Sequence, residues 1–132
     1  MMNARSTGIG ITRLSQVAIN VHDLGRATAF YRDALGLSLL FTAGGMAFFD
    51  CGGTRLMLAH PEKPEFDHPS SILYFVVADI LGAYRRLLDA AVKFESEPRM
   101  IAPMPEHDLW MGFFRDSEGN MMALMSEVPR ST

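Results

Sequence analysis

Four histidines and one cysteine are the side chains in this sequence best suited to metal binding or nucleophilic chemistry: His22, His60, His68, His107 and Cys51. Glu62, Asp67, Glu106 and Asp108 lie near them in the chain. A metal centre written into local sequence needs donors at a spacing that brings them together, such as two histidines one helical turn apart. No such spacing occurs. His22 sits beside a helix cap, His60 and His68 fall in a proline-rich connector, and His107 falls in a Pro- and Met-rich stretch. They read as solvated loop histidines, with His60 and His107 closest to strand ends. Cys51 lies in the glycine-rich run Asp50-Cys51-Gly52-Gly53 with no adjacent base, so it reads as a bystander rather than a nucleophile. A single cysteine excludes an internal disulfide and fits a reducing, cytoplasmic setting.

The elements that must position any site belong to one modest domain. The chain has 132 residues, 48% hydrophobic and 20% charged, which is an ordinary globular mixture. The formal net charge is −3 and no run of Lys and Arg forms a phosphate-tracking surface, so nucleic acid is not an expected partner. No apolar run reaches bilayer-spanning length, so neither is a membrane. Met1 to Thr12 lacks the apolar core of a secretory signal and reads as a flexible N-terminal arm.

Beyond that arm the sequence repeats itself. Gln16-Val-Ala-Ile-Asn-Val-His-Asp23-Leu24 reads as an apolar strand ending in an Asp, and so does Ile72-Leu-Tyr-Phe-Val-Val-Ala-Asp79-Ile80. At the same offset Val21 meets Val77, Ala27 meets Ala83, Tyr31 meets Leu87 and Ala34 meets Ala90. Each Asp suits a helix N-cap. Behind each cap runs an apolar helical stripe, Leu24, Ala27, Tyr31, Ala34 and Leu35, then Ile80, Ala83, Tyr84, Leu87, Leu88 and Ala91. Gly36 closes the first helix, whereas the second has Ala91-Val92 at that place. The ends also match: Asp50-Cys-Gly-Gly53 with Leu56-Met57-Leu58 resembles Asp116-Ser-Glu-Gly119 with Met122-Ala123-Leu124. That second offset is ten residues longer, which places an inserted loop at Glu97 to Asp108. Strands are predicted near 14–21, 38–43, 46–50, 54–59, 71–77, 93–101, 109–115 and 120–126, and helices near 24–35 and 80–91. Module one spans 13–60, a linker 61–70 and module two 71–127, all within one domain, 13–132.

The stretches Val17-Ala-Ile-Asn-Val-His-Asp23-Leu24, Ala29-Phe30-Tyr31 with Leu35-Gly36-Leu37, and Phe114-Arg-Asp116-Ser-Glu-Gly119-Asn120 resemble the vicinal-oxygen-chelate superfamily. That superfamily includes glyoxalase I, bleomycin-resistance proteins, extradiol dioxygenases, fosfomycin-resistance enzymes and methylmalonyl-CoA epimerase. The resemblance implies an α+β fold of two βαβββ modules, forming a curled mixed sheet around a concave cup. It also implies a homodimer and, in most relatives, a divalent metal in the cup. Ser117 stands where the family often has proline. Family metal ligands map onto Gln16 and Ile72 on the first strands and Met57 and Ala123 on the last. Relatives place His, Gln or Glu there; here only Gln16 keeps a hard donor, and one donor does not hold a divalent cation.

Strand alternation then sets what faces the cup: Gln16, Ala18 and Asn20; Arg55, Met57 and Ala59; Ile72, Tyr74 and Val76; Met121, Ala123 and Met125. Met100, Met104 and Trp110 are expected as a lid or aromatic wall. The candidate ligand-binding set is therefore Gln16, Asn20, Arg55, Met57, Ile72, Tyr74, Trp110, Met121 and Ala123, an apolar pocket with a few polar points. The expected function is metal-independent binding of a small apolar or amphipathic organic molecule, neutral or anionic since the cup carries an Arg and no carboxylate, with no cofactor. The alternative is a metal-dependent glyoxalase-like lyase, isomerase or dioxygenase, with one divalent ion on non-standard ligands drawn from Gln16, His60 and His107. A third reading is an interaction domain whose cup is filled by its own side chains.

Overall fold

A computed structural model describes residues 8–130. The first seven residues of the expected arm, and the last two of the chain, lie outside the described residues; residues 8–12 are exposed and carry no regular structure. Module one runs β1 (Gln16–Asn20), α1 (Leu24–Ala29), β2 (Ser38–Ala43), β3 (Met46–Cys51) and β4 (Thr54–Ala59). Module two repeats the order as β5 (Leu73–Val76), α2 (Ile80–Asp89), β6 (Arg99–Pro103), β7 (His107–Arg115) and β8 (Met121–Pro129). The strands make two four-stranded mixed sheets, ordered β1-β4-β3-β2 and β5-β8-β7-β6. In each, the first strand pairs parallel with the last and the other pairings are antiparallel. The two sheets do not close into one.

Both predicted caps form. The Asp23 carboxylate accepts the Arg26 N–H at 3.0 Å, and that of Asp79 accepts the Gly82 N–H at 3.0 Å. α1 widens into a π-helical turn over Phe30–Ala34, with the Leu35 N–H donating to the Phe30 carbonyl five residues back. Gly36 ends it at φ +75°. At the matching corner of α2, Ala91 takes φ +65°, a conformation its Cβ disfavours. The buried Val92, whose N–H donates to the Leu87 carbonyl, holds the chain there.

Alternation places Ile19, Val21, Leu56 and Leu58 of the first sheet, and Phe114, Met122 and Leu124 of the second, on the helix-covered faces. With Tyr31, Phe49 and Leu87 they form one continuous core across both modules. Full burial of side chains this size stabilises by about 1.5–3 kcal/mol each.

Two sequence expectations need correcting. β6 begins at Arg99 rather than near 93, and of the preceding residues Phe94 makes an isolated bridge to Phe114. The segment Glu97 to Asp108 is not chiefly a loop: most of it is the β6–β7 hairpin, closed by the Met104 N–H donating to the His107 carbonyl at 2.8 Å. Arg130 holds that turn from outside, donating to the carbonyls of Met104, Pro105 and His107 and to the Asp108 carboxylate. Pro- and Met-rich composition reads as loop, but a long-range side chain satisfies this turn. Among the described residues no helix is long and apolar enough to cross a membrane.

Candidate functional site

The helix-free face of the first sheet carries the predicted polar points. Gln16 pairs with Arg55 in register, Ala18 with Met57 and Asn20 with Ala59. The Gln16 Oε1 accepts the Arg55 Nε–H at 2.8 Å, and its amide nitrogen lies 3.8 Å from the Met57 sulfur as donor. The Arg55 guanidinium lies 5.2 Å over the Phe48 ring, which stacks on Phe41 at 4.5 Å. The strip from β1 to β2 is thus an amide, a guanidinium and two rings.

Asn20 has another role. Its side-chain amide donates to the Phe66 and His68 carbonyls at 2.8 and 2.9 Å, while its backbone N–H donates to the Ser70 hydroxyl. These bonds fasten the linker across the end of β1. The linker becomes the wall of a pocket of about 450 Å³, lined on the sheet side by Ala18, Met46, Met57 and Ala59 and on the linker side by His60 and Phe66.

The second sheet offers a different surface. Tyr74, Ala123 and Phe113 stand side by side across β5, β8 and β7. The two rings meet edge to face at 5.8 Å, and Ala123 between them is fully buried. Beside this pair Ile72 is 43% exposed and Val76 73%. Met121 faces the same way, half-buried opposite Arg115. Trp110 does not belong to the set. Counting back from buried Phe114, positions 112 and 110 fall on the helix side, and Trp110 packs against the core. Trp110 was expected, with Met100 and Met104, as part of a lid or aromatic wall, but the strand's two-residue period decides its side.

The modules are joined by a polar knot that sequence reasoning left without roles. The buried Asp116 carboxylate accepts the Tyr31 hydroxyl at 2.7 Å, the backbone N–H groups of Glu118 and Asn120 at 2.8 Å, and the Asn120 side-chain amide. Burial, then the Asp116 charge and hydrogen bond, push the Tyr31 phenol far above its usual range. That Asn120 amide also donates to the Asn20 carbonyl. Glu118 accepts the backbone N–H groups of His22 and Asp23 and the Arg26 guanidinium. Burial pulls the Glu118 carboxyl upward, but Arg26 and the two backbone donors outweigh it and hold the group at about 2. The available signal was the co-occurrence of Tyr31 and Asp116 in the quoted family motif. Phe48 and Phe113 were also missed, although alternation along β3 and β7 would have found them; Phe41 was missed because an irregularity between Leu39 and Phe41 switches the face that β2 presents.

A second pocket, of about 490 Å³, lies between the modules beside β5 and includes Leu35, Leu37, Cys51 and Leu124. Burial and the neighbouring Asp50 charge raise the Cys51 thiol above its usual pKa, opposite to the shift that activates a nucleophile.

The donor set does not fit the family's metal. Of the four mapped positions, Gln16 is bonded to Arg55 and Met57, Ile72 and Met57 supply no hard donor, and Ala123 is covered by two rings. Gln16, His60 and His107 are not brought together: Gln16 and His60 lie at opposite ends of the β1–β4 pair, and His107 is in the other module, 3.6 Å from Glu127. Among the described residues no three His, Cys, Asp or Glu side chains are grouped to hold a metal ion.

Comparison with known proteins agrees with the topology. The model of the glyoxalase/bleomycin resistance protein/dioxygenase superfamily matches residues 13–124. The uncharacterized protein YraH of Bacillus subtilis is 27% identical over 126 residues, covering 85% of this chain and 96% of that one. A solved superfamily member from Sphaerobacter thermophilus superposes with TM-score 0.72 at 25% identity, covering 89% of this chain and 98% of that one. Lactoylglutathione lyase of Agrobacterium tumefaciens superposes with TM-score 0.68 at 21% identity, covering 89% and 95%, a likeness of fold. The chain belongs to the glyoxalase/bleomycin resistance protein/dioxygenase superfamily.

Proposed function

We propose that this protein binds a small apolar or amphipathic organic molecule without a metal ion, as a homodimer in a cytoplasmic setting. The observation that carries the reading is the state of the four mapped ligand positions. Gln16 serves as a hydrogen-bond bridge between Arg55 and Met57, Met57 lines the first-sheet pocket of about 450 Å³ together with Ala18, Met46 and Phe66, and Ala123 on the second sheet is paved by Tyr74 and Phe113. Methionine and aromatic walls adapt to an organic body and offer nothing to a hard cation. The exposed apolar residues Ile72, Tyr74 and Val76 support completion of the cup by a second copy.

Elemental analysis of the purified protein, paired with thermal unfolding in divalent metal salts and in chelator, tests the central claim. Less than a tenth of an equivalent of metal and an unchanged melting temperature are expected. A stoichiometric metal whose removal lowers that temperature would replace this reading with the metal-dependent lyase, isomerase or dioxygenase.

A further inference from the structure

We infer that Arg55 is an anion anchor, and that the ligand carries a carboxylate at one end of a flat apolar body. This deepens the binding role proposed above and rests on it.

The Arg55 Nε–H is used by Gln16, and the guanidinium is steadied over Phe48. Among the described residues it forms no ion pair. Asp50 stands directly opposite on β3, but its carboxylate accepts the Gly53 N–H at 3.2 Å in the β3–β4 turn. Nη1 and Nη2 therefore present a planar fork on the cup face, the geometry that receives a carboxylate through two parallel hydrogen bonds. Arg13, which donates to the Gly53 carbonyl, adds a second positive charge at this end, while Glu62 lies at the far end of the face beside the pocket. From Arg55 the face continues through Met57 to Ala59, roughly 13 Å of strand at ~3.3 Å per residue. The ligand body lies along this strip, over Phe48 and Met57 and towards Phe66.

The test compares 2-naphthoate with 2-naphthamide, which share shape and differ in charge, by titration calorimetry on the full chain. The native protein is expected to bind the naphthoate at least ~10-fold more tightly, a preference weakened by added salt. Arg55→Met should collapse that preference to about one, and Arg55→Lys, which keeps the charge but loses the fork, should restore only part of it. Equal native affinities, or a preference that survives Arg55→Met, would overturn the anchor and leave the pocket reading standing. No saturable binding by either compound would overturn both. Circular dichroism checks that the variants keep the native fold, which is expected because Arg55 is exposed.

Discussion

The Glu118 side chain is 1% exposed, and around it are the N-terminus of α1, the backbone N–H of His22 and the Arg26 guanidinium. A carboxylate in this nest joins the last turn of module two to the first helix of module one. Its pKa falls from 4.5 to about 2 on folding, so its contribution is fully present above pH 4.5 and is lost as pH drops from 4.5 towards 2. Glu118→Gln is expected to cost on the order of 2 kcal/mol at neutral pH, discounted because Arg26 is half exposed. Chemical denaturation at pH 7 and at pH 3 checks this: the gap between native and variant should narrow at the lower pH. Tyr31→Phe removes the hydroxyl that donates to buried Asp116 and should cost about 1–3 kcal/mol. A destabilisation below ~0.5 kcal/mol would mean that the remaining donors satisfy that carboxylate unaided.

At the scale of elements, the two modules solve the same corner differently. Gly36 takes a positive φ without steric cost, while Ala91 bears its Cβ at φ +65°. Ala91→Gly should stabilise the protein by up to about 1 kcal/mol, read as a higher denaturation midpoint, because relief of strain outweighs the added unfolded-state entropy. The opposite end of module two depends on Arg130, whose donors satisfy the β6–β7 turn. Arg130→Ala should raise amide exchange at Met104 and neighbouring hairpin positions more than in β8. Uniform exchange throughout the sheet would show that the hairpin is held by its ladder alone.

At the scale of the molecule, the helix-covered faces are satisfied within one chain and the cup faces are not. Val76 is 73% exposed beside half-exposed Tyr74 and Ile72, a cost that a monomer gains nothing by keeping. Sedimentation should therefore give a mass near twice 14.6 kDa, and Val76→Lys should shift the protein towards the single-chain mass by placing a charge on that face. A native protein that sediments as a single chain at micromolar concentration would remove the dimer from the proposal.

The sequence by itself determined the repeated architecture and both helix caps at Asp23 and Asp79. Those features follow from local rules: a cap needs a carboxylate at one place, and a strand alternates with period two. It also showed that Met57, Ile72 and Ala123 carry no hard donor and that Gln16 alone of the four keeps one, since residue type decides which atoms a side chain can offer. Tertiary structure decided the rest. Asn20 fastens the linker at the pocket that it helps to line, Trp110 turns to the helix side, and Tyr74 and Phe113 close over Ala123. Glu118 and the Tyr31–Asp116 bond span more than eighty residues. Partners that far apart in the chain are set by how two modules pack, and no local period encodes that distance.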